Sequence, residues 1–220
     1  MKDPIQPIQH LVPHPSSNSG PDVRYPVMEA FYTVQGEGAF TGQAAYFVRL
    51  SGCDVGCTWC DVKESWDATK HPMRGVEELV SEASAHAGRL VVITGGEPLM
   101  HELGPLTDAF RAAGFRTHIE TSGSSPLSGS WDWICLSPKK FKAALPEAFS
   151  AAHELKVIVF NNHDLKWAQE QAAHVSDQCH LYLQPEWSKR ETMMPLITTF
   201  VMDQPRWRIS LQTHKILGIP

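Results

Sequence analysis

Three cysteines within eight residues, Cys53-Asp-Val-Gly-Cys57-Thr-Trp-Cys60, are the part of this chain best suited to chemistry. Three thiolates from one short loop suit an iron-sulfur cluster held at three corners, which leaves the fourth iron for a ligand that is not protein. A structural zinc site is the competing reading. It needs four closed ligands and would have to recruit a histidine such as His71, and the usual pair of Cys-x-x-Cys knuckles is absent. A zinc-stabilised binding module therefore stays open beside the cluster. Cys135 and Cys179 stand in apolar runs and read as small buried hydrophobes. Five cysteines are an odd number, and the first thirty residues contain no apolar export segment, so we expect no disulfide framework and a cytoplasmic setting.

Such a loop needs a scaffold, and apolar periodicity supplies one. Candidate strands run Val27 to Val34, Ala44 to Leu50, Leu90 to Ile93, Arg116 to Ile119, Trp133 to Leu136, Leu155 to Val159, His180 to Leu183 and Arg208 to Leu211. Helical patterns fall between several of them, at Val76 to His86, Leu103 to Ala113, Asp164 to Val175 and Met194 to Met202. This alternation predicts an α/β fold with a parallel sheet. About six core strands are too few for a closed eight-stranded barrel. The link from Cys135 to Glu154 is poor in helix signals, so a partial barrel with trimmed helices fits best.

Polar motifs then fall at the carboxyl ends of these strands. The cysteine loop follows Leu50, Thr94-Gly-Gly-Glu-Pro98 follows Ile93, Glu120-Thr-Ser-Gly123 follows Ile119, and Ser137-Pro-Lys139 follows Leu136. Gln184-Pro185 and Gln212-Thr-His-Lys215 end the last two strands. In parallel α/β folds that end of the sheet carries the active site, so the motifs should converge on one mouth.

Composition bounds the partners. The chain has 220 residues, is 42% hydrophobic and carries a net charge of -5 without a lysine or arginine run, which argues for one globular enzyme and against a nucleic-acid surface. No apolar stretch approaches the length of a membrane span. Residues 1 to 26, with six prolines and no periodic pattern, read as a mobile extension, and 27 to 220 as the catalytic domain.

The cysteine spacing, with Trp59 before the last thiol, and the Gly95-Gly-Glu-Pro98 element together resemble the radical S-adenosylmethionine superfamily. Further segments resemble one family within it, the 7-carboxy-7-deazaguanine synthases of queuosine biosynthesis. They are Thr33-Val-Gln-Gly-Glu-Gly38, Phe40-Thr-Gly42, Val48-Arg-Leu-Ser-Gly-Cys53, Ile119-Glu-Thr-Ser-Gly123, Leu136-Ser-Pro-Lys139 and Leu211-Gln-Thr-His-Lys-Ile-Leu-Gly-Ile-Pro220. A radical activase or another small radical lyase would share the cysteines and Gly-Gly-Glu-Pro but has no reason for Gln35, Glu37, Arg49 and Pro220.

The resemblance implies a 4Fe-4S cluster on Cys53, Cys57 and Cys60, with S-adenosylmethionine held by Trp59, Cys60, Asp61, Gly96, Ser137, Pro138 and Lys139. It implies a 5'-deoxyadenosyl radical that converts 6-carboxy-5,6,7,8-tetrahydropterin to 7-carboxy-7-deazaguanine with loss of ammonia. Substrate would be met by Val34, Gln35, Gly36, Glu37, Arg49, Thr94, His214 and Pro220, whose terminal carboxylate would reach the amino-pyrimidine edge. The carboxylate of Glu37 would accept from pterin N-H groups, and Arg49 would clamp the substrate carboxylate. The family also implies magnesium, a homodimer and flavodoxin as reductant. Its magnesium ligand is a hydroxyl two residues after the last cysteine, where this chain has Val62, which has no ligand atom.

Overall fold

The computed structural model describes residues 22–220. Residues 1–21 of the expected extension lie outside them. β1 spans Arg24–Val34, starting at Arg24 rather than Val27, and forms an antiparallel hairpin with β2, Ala44–Leu50. Parallel strands follow: β4 (Leu90–Gly95), β5 (Arg116–Thr121), β6 (Trp133–Leu136), β7 (Glu154–Val159), β8 (His180–Pro185) and β9 (Trp207–Ile209). A short strand, β3 (Met73–Gly75), closes the far edge against β1. Among the described residues the sheet has nine strands in the order β3-β1-β2-β4-β5-β6-β7-β8-β9, with all pairings from β2 onward parallel. The expected parallel sheet of a partial barrel is present, and two antiparallel pairings, of β1 with β2 and with β3, extend its edge. A hairpin places β1 beside β2 without a crossover, and three residues are too few to carry an alternating signal for β3.

Crossover helices cover the outer face: α1 (Val76–Ser84), α2 (Gly104–Ala112), α3 (Pro146–Ala151), α4 (His163–Ala172) and α5 (Arg190–Asp203). A last short helix, α6 (Thr213–Leu217), follows β9. The six-residue α3 sits in the link that shows little helical signal in sequence, where Pro146 at its start and Glu147 in its first turn are the available cues. α5 begins at Arg190, ahead of the expected Met194, because the turn Trp187–Lys189 runs directly into it, and the helix accommodates Pro195 within its first turns.

Each strand's alternation divides two environments. Along β7, Leu155, Val157 and Val159 face outward into a core with Phe149, Ala168 and Ile197 from the helices. The companion core behind β1 to β5 packs Val48, Val91, Ile93 and Ile119 on Leu79, Leu106 and Phe110. Inward positions are apolar only at one side, where Phe47 and Val92 meet Phe31 and Phe40. Elsewhere the interior is polar, with His118, Glu154 and Lys156 buried. That polar interior opens at the carboxyl ends of the strands.

Candidate active site

The cysteine loop leaves β2 at Leu50 and is shaped by Gly52 and Gly56, whose φ values of +102° and +74° other residues rarely adopt. It is tied at both ends, with Gly52 N–H donating to the Ser65 carbonyl at 2.7 Å and Cys53 N–H to the Trp66 carbonyl at 3.2 Å. Lys142 braces it from the loop after β6 through a 2.7 Å ion pair to Asp54. All three thiols are unpaired and line one cleft of about 640 Å³. Burial pushes the Cys53 and Cys57 thiols up, with Lys139 opposing at Cys57. Iron loading must therefore release those protons. His71, the extra ligand that zinc would require, is spent on the Glu64 carbonyl at 2.8 Å.

The Gly95-Gly-Glu-Pro98 turn is packed against that loop. Gly96 N–H donates to the Leu50 carbonyl at 2.9 Å and Glu97 N–H to the Gly52 carbonyl at 2.8 Å. A Cβ on Gly96 would lie 2.2 Å from the Gly52 oxygen, so the missing side chain lets backbone meet backbone. Glu97, 1% exposed, accepts from Ser122 N–H at 2.8 Å, Leu99 N–H at 3.1 Å, and the hydroxyls of Thr121 and Ser122. One carboxylate thus fixes the end of β5 to the end of β4.

Every expected cofactor residue except Pro138 lines the main cleft: Trp59, Cys60, Asp61, Gly96, Ser137 and Lys139. Pro138 lines a smaller pocket of about 240 Å³ that shares Trp59 and Lys139 and adds Phe141, Phe160 and Trp167. Lys139 donates to the Ser137 hydroxyl at 2.6 Å, and burial holds its pKa below the usual lysine range. Asp61 pairs with Lys215 at 2.7 Å, and Val62 beside it lines the cleft without a side-chain oxygen.

The expected substrate residues, Val34, Gln35, Gly36, Glu37, Arg49, Thr94, His214 and Pro220, line the same cleft. Three of them are already engaged through their side chains, Gln35 by donating to Glu120 at 2.9 Å and accepting from the Glu37 N–H at 3.0 Å. Arg49 is held through Nε by Glu29 at 2.5 Å, and Glu37 accepts from Gln212 at 2.9 Å and from Lys156. His214 packs on bare Gly36, where a Cβ would lie 2.2 Å from its Nδ1, and burial lowers its pKa. The closing segment is anchored, since Thr213 donates to the Gly36 carbonyl through N–H and hydroxyl, both at 3.0 Å, and the Pro220 carbonyl accepts from Thr33 at 3.3 Å.

Sequence reasoning passes over Lys156 and places Glu120 and Gln184 at the mouth only as members of strand-end motifs, with no individual role; all three line the cleft. Lys156 hides inside an apparently apolar strand. Its signal is period two, because Glu154 and Lys156 alternate with Leu155 and Val157, which puts both charges on the inner face.

Comparison with known proteins matches this arrangement. Residues 47–139 match the radical SAM superfamily model. A 7-carboxy-7-deazaguanine synthase of Flavobacterium psychrophilum is 55% identical, covering 89% of this chain and 92% of its own length. That of Synechocystis is 48% identical, covering 90% and 94%. The crystal structure of QueE from Escherichia coli superposes with a TM-score of 0.78 at 34% identity, covering 86% of this chain and 94% of that one. The zinc-module reading falls with these matches. Carrying the three-cysteine loop and nearly the full length of such relatives, the chain belongs to the 7-carboxy-7-deazaguanine synthase family of radical S-adenosylmethionine enzymes.

Proposed function

We propose that the protein converts 6-carboxy-5,6,7,8-tetrahydropterin to 7-carboxy-7-deazaguanine with loss of ammonia, the product feeding queuosine biosynthesis. The observation that carries this reading is that the thiol loop, the Ser137–Lys139 segment and a floor of glutamine and glutamate side chains share one cleft. Bound together, a 4Fe-4S cluster and S-adenosylmethionine supply a 5'-deoxyadenosyl radical for hydrogen abstraction.

The chain's own residues position and shield. Cys53, Cys57 and Cys60 hold the cluster at three corners. Trp59, Phe141, Phe160 and Trp167 offer aromatic faces to an adenine ring, while Ser137 and Lys139 present a hydroxyl and a cation to ribose and carboxylate. Arg49, steadied by Glu29, keeps its terminal N–H groups for the substrate carboxylate. Gln35, Glu37 and His214, which line the cleft, would meet the pterin ring, and Thr94, near the end of β4, would lie between cofactor and substrate.

Magnesium fits this site poorly. The Val62 side chain offers no oxygen, its carbonyl is taken by Ser65, and the neighbouring Asp61 carboxylate is paired with Lys215. We infer that turnover proceeds without protein-held magnesium; restoring activity to chelated enzyme by adding the ion would overturn this. A homodimer and a flavodoxin-type donor remain implied by the resemblance, to be tested by sedimentation and by reconstituted electron transfer.

The deciding assay is anaerobic, with reconstituted protein, S-adenosylmethionine, dithionite and the carboxypterin, following 7-carboxy-7-deazaguanine by mass. Product is expected from the unaltered chain and none from Cys57→Ala. If S-adenosylmethionine is cleaved to 5'-deoxyadenosine and no deazaguanine forms, the substrate assignment is wrong.

A further inference from the structure

Below the cleft lies a charge arrangement that cofactor binding does not use. Lys156 is on β7, its side chain 4% exposed, and its ammonium lies between two carboxylates from different parts of the chain. Glu37, on the loop after β1, is in direct contact, and Glu120, at the end of β5, is 3.4 Å away. Each carboxylate also accepts from an amide: Gln212 Nε2 donates to Glu37 and Gln35 Nε2 to Glu120, both at 2.9 Å. Gln35 Oε1 accepts in turn from the Glu37 N–H at 3.0 Å, which fixes the direction of that amide. A carboxylate has about four acceptor positions, so each retains acceptor capacity, and both Glu37 and Glu120 line the cleft.

Two carboxylates converging on one buried point repel, and without a cation one of them takes up a proton and becomes a donor. A site with one donor and one acceptor selects a different ligand edge from a site with two acceptors. We propose that Lys156 is a positioning and specificity-determining residue, holding Glu37 and Glu120 together as a pair of acceptors that selects a substrate presenting adjacent N–H and NH2 donors. This rests on the pterin reading, because the 2-amino-4-oxo ring has that donor edge. The balance of charge agrees. Burial opposes a charge on Lys156, yet Glu120 and Glu37 outweigh it and hold its pKa well above the lysine norm. Burial would likewise raise Glu120, but Lys156 first, then Gln35, brings it below the ordinary carboxylate value. The other charged or titratable groups facing this cluster are Arg49 on β2, His118 on β5, Cys135 on β6, Lys139 after β6, Glu154 on β7 and His214 on α6.

The test is the pH profile of kcat/KM for the carboxypterin in Lys156→Met and Lys156→Arg, with iron content and 5'-deoxyadenosine formation measured in parallel. An opposite charge this close lowers a carboxylate pKa by about one to three units. Lys156→Met should therefore move the acid limb upward by about one pH unit or more, so that its deficit is about tenfold larger at the acid end than at the alkaline end. Lys156→Arg should keep the limb near that of the unaltered enzyme. A structural lesion would lower activity at all pH values and leave the limb in place, and that result overturns the proposal. Should Lys156→Met fail to fold, Glu37→Gln is compared with Glu37→Gln/Lys156→Met, in which only one carboxylate remains to be uncompensated; an unmoved limb there overturns the proposal equally. An unaltered enzyme that forms no deazaguanine refutes the substrate reading, whereas normal turnover with an unmoved limb in the variants refutes the lysine's role alone.

Discussion

Replacing Gly96 with alanine places a methyl group 2.2 Å from the Gly52 carbonyl oxygen and 2.8 Å from its carbon, where ordinary contact begins near 3.4 Å. Something must retreat by about 1.2 Å, and neither side is a flexible side chain. On one side β4 is held by parallel pairing to β2. On the other is the backbone one residue before Cys53, whose Cβ would itself lie 3.1 Å from the new methyl. The loop is the weaker partner, because beyond Gly52 and Cys53 it is held mainly by its own turns. Overpacking of this kind costs about 1 to 3 kcal/mol. In a chain of this size that lowers the melting midpoint by about 3 to 10 °C. The functional effect should be larger than the stability effect, since displacing Cys53 spoils the three-thiolate geometry directly. The assay is anaerobic reconstitution followed by iron and sulfide per chain, beside a thermal melt. We expect Gly96→Ala to fold, to melt several degrees low and to hold less than half the iron of the unaltered protein. A variant with full iron content and an unchanged midpoint would refute the argument that Gly96 is bare for the sake of the cysteine loop.

Two further outcomes follow from buried groups. His118 is 2% exposed, neither ring nitrogen finds a protein partner, and burial lowers its pKa to about 3. It folds neutral and protonates on unfolding below about pH 6.5, so its contribution is intact above that pH and is lost progressively as pH falls toward 3. His118→Leu should therefore flatten the acid dependence, losing about 2 kcal/mol less than the unaltered chain between pH 6.5 and 5 in urea titrations; parallel curves would refute the assignment. Thr213→Val removes one of the two donors to the Gly36 carbonyl, worth about 1 kcal/mol. It should raise KM for the carboxypterin about fivefold while leaving iron content unchanged, and an unaltered KM would show that this anchor does not position the site.

What the sequence makes legible depends on how local each signal is. β2 and β6 have the bounds expected from their apolar runs, Ala44–Leu50 and Trp133–Leu136, and the strand-end motifs do converge on one mouth. Three thiols in one loop are local, so their shared exposure to the cleft is readable without a fold. The Glu37–Lys156–Glu120 cluster is not, because its members are 119 and 36 residues apart. No pattern in the chain states that the loop after β1 reaches across to β7. The expectation for Glu37 shows the same limit: its residue type suggests a free acceptor, whereas its acceptor positions are partly filled by Lys156 and Gln212. The role of Glu97 is equally hidden, since the sequence places it beside the glycines and only the fold turns its carboxylate toward Thr121 and Ser122.

The polar interior explains why the barrel stays incomplete. A closed barrel of this strand length fills its interior with layers of branched apolar side chains. Here the inward positions of β5 to β8 carry His118, Glu120, Cys135, Glu154, Lys156 and Gln184 instead. Isolated charges at that depth would be prohibitive, so each carboxylate must find donors. Glu154 accepts from Ala39 N–H at 3.1 Å and Trp133 Nε1 at 3.2 Å, and burial raises its pKa; Glu120 and Glu37 share Lys156. The donors to Glu154 and Glu37 come partly from outside the parallel strands, from the turn after β1 and the segment after β9. These two segments, joined by the Thr213 contacts to Gly36, approach the interior where further strands would close a full barrel. The same openness is thus what lets these two segments reach in and satisfy the buried charges. Filling the interior with aliphatic side chains would remove the need for those segments and, with it, the acceptors on the cleft floor.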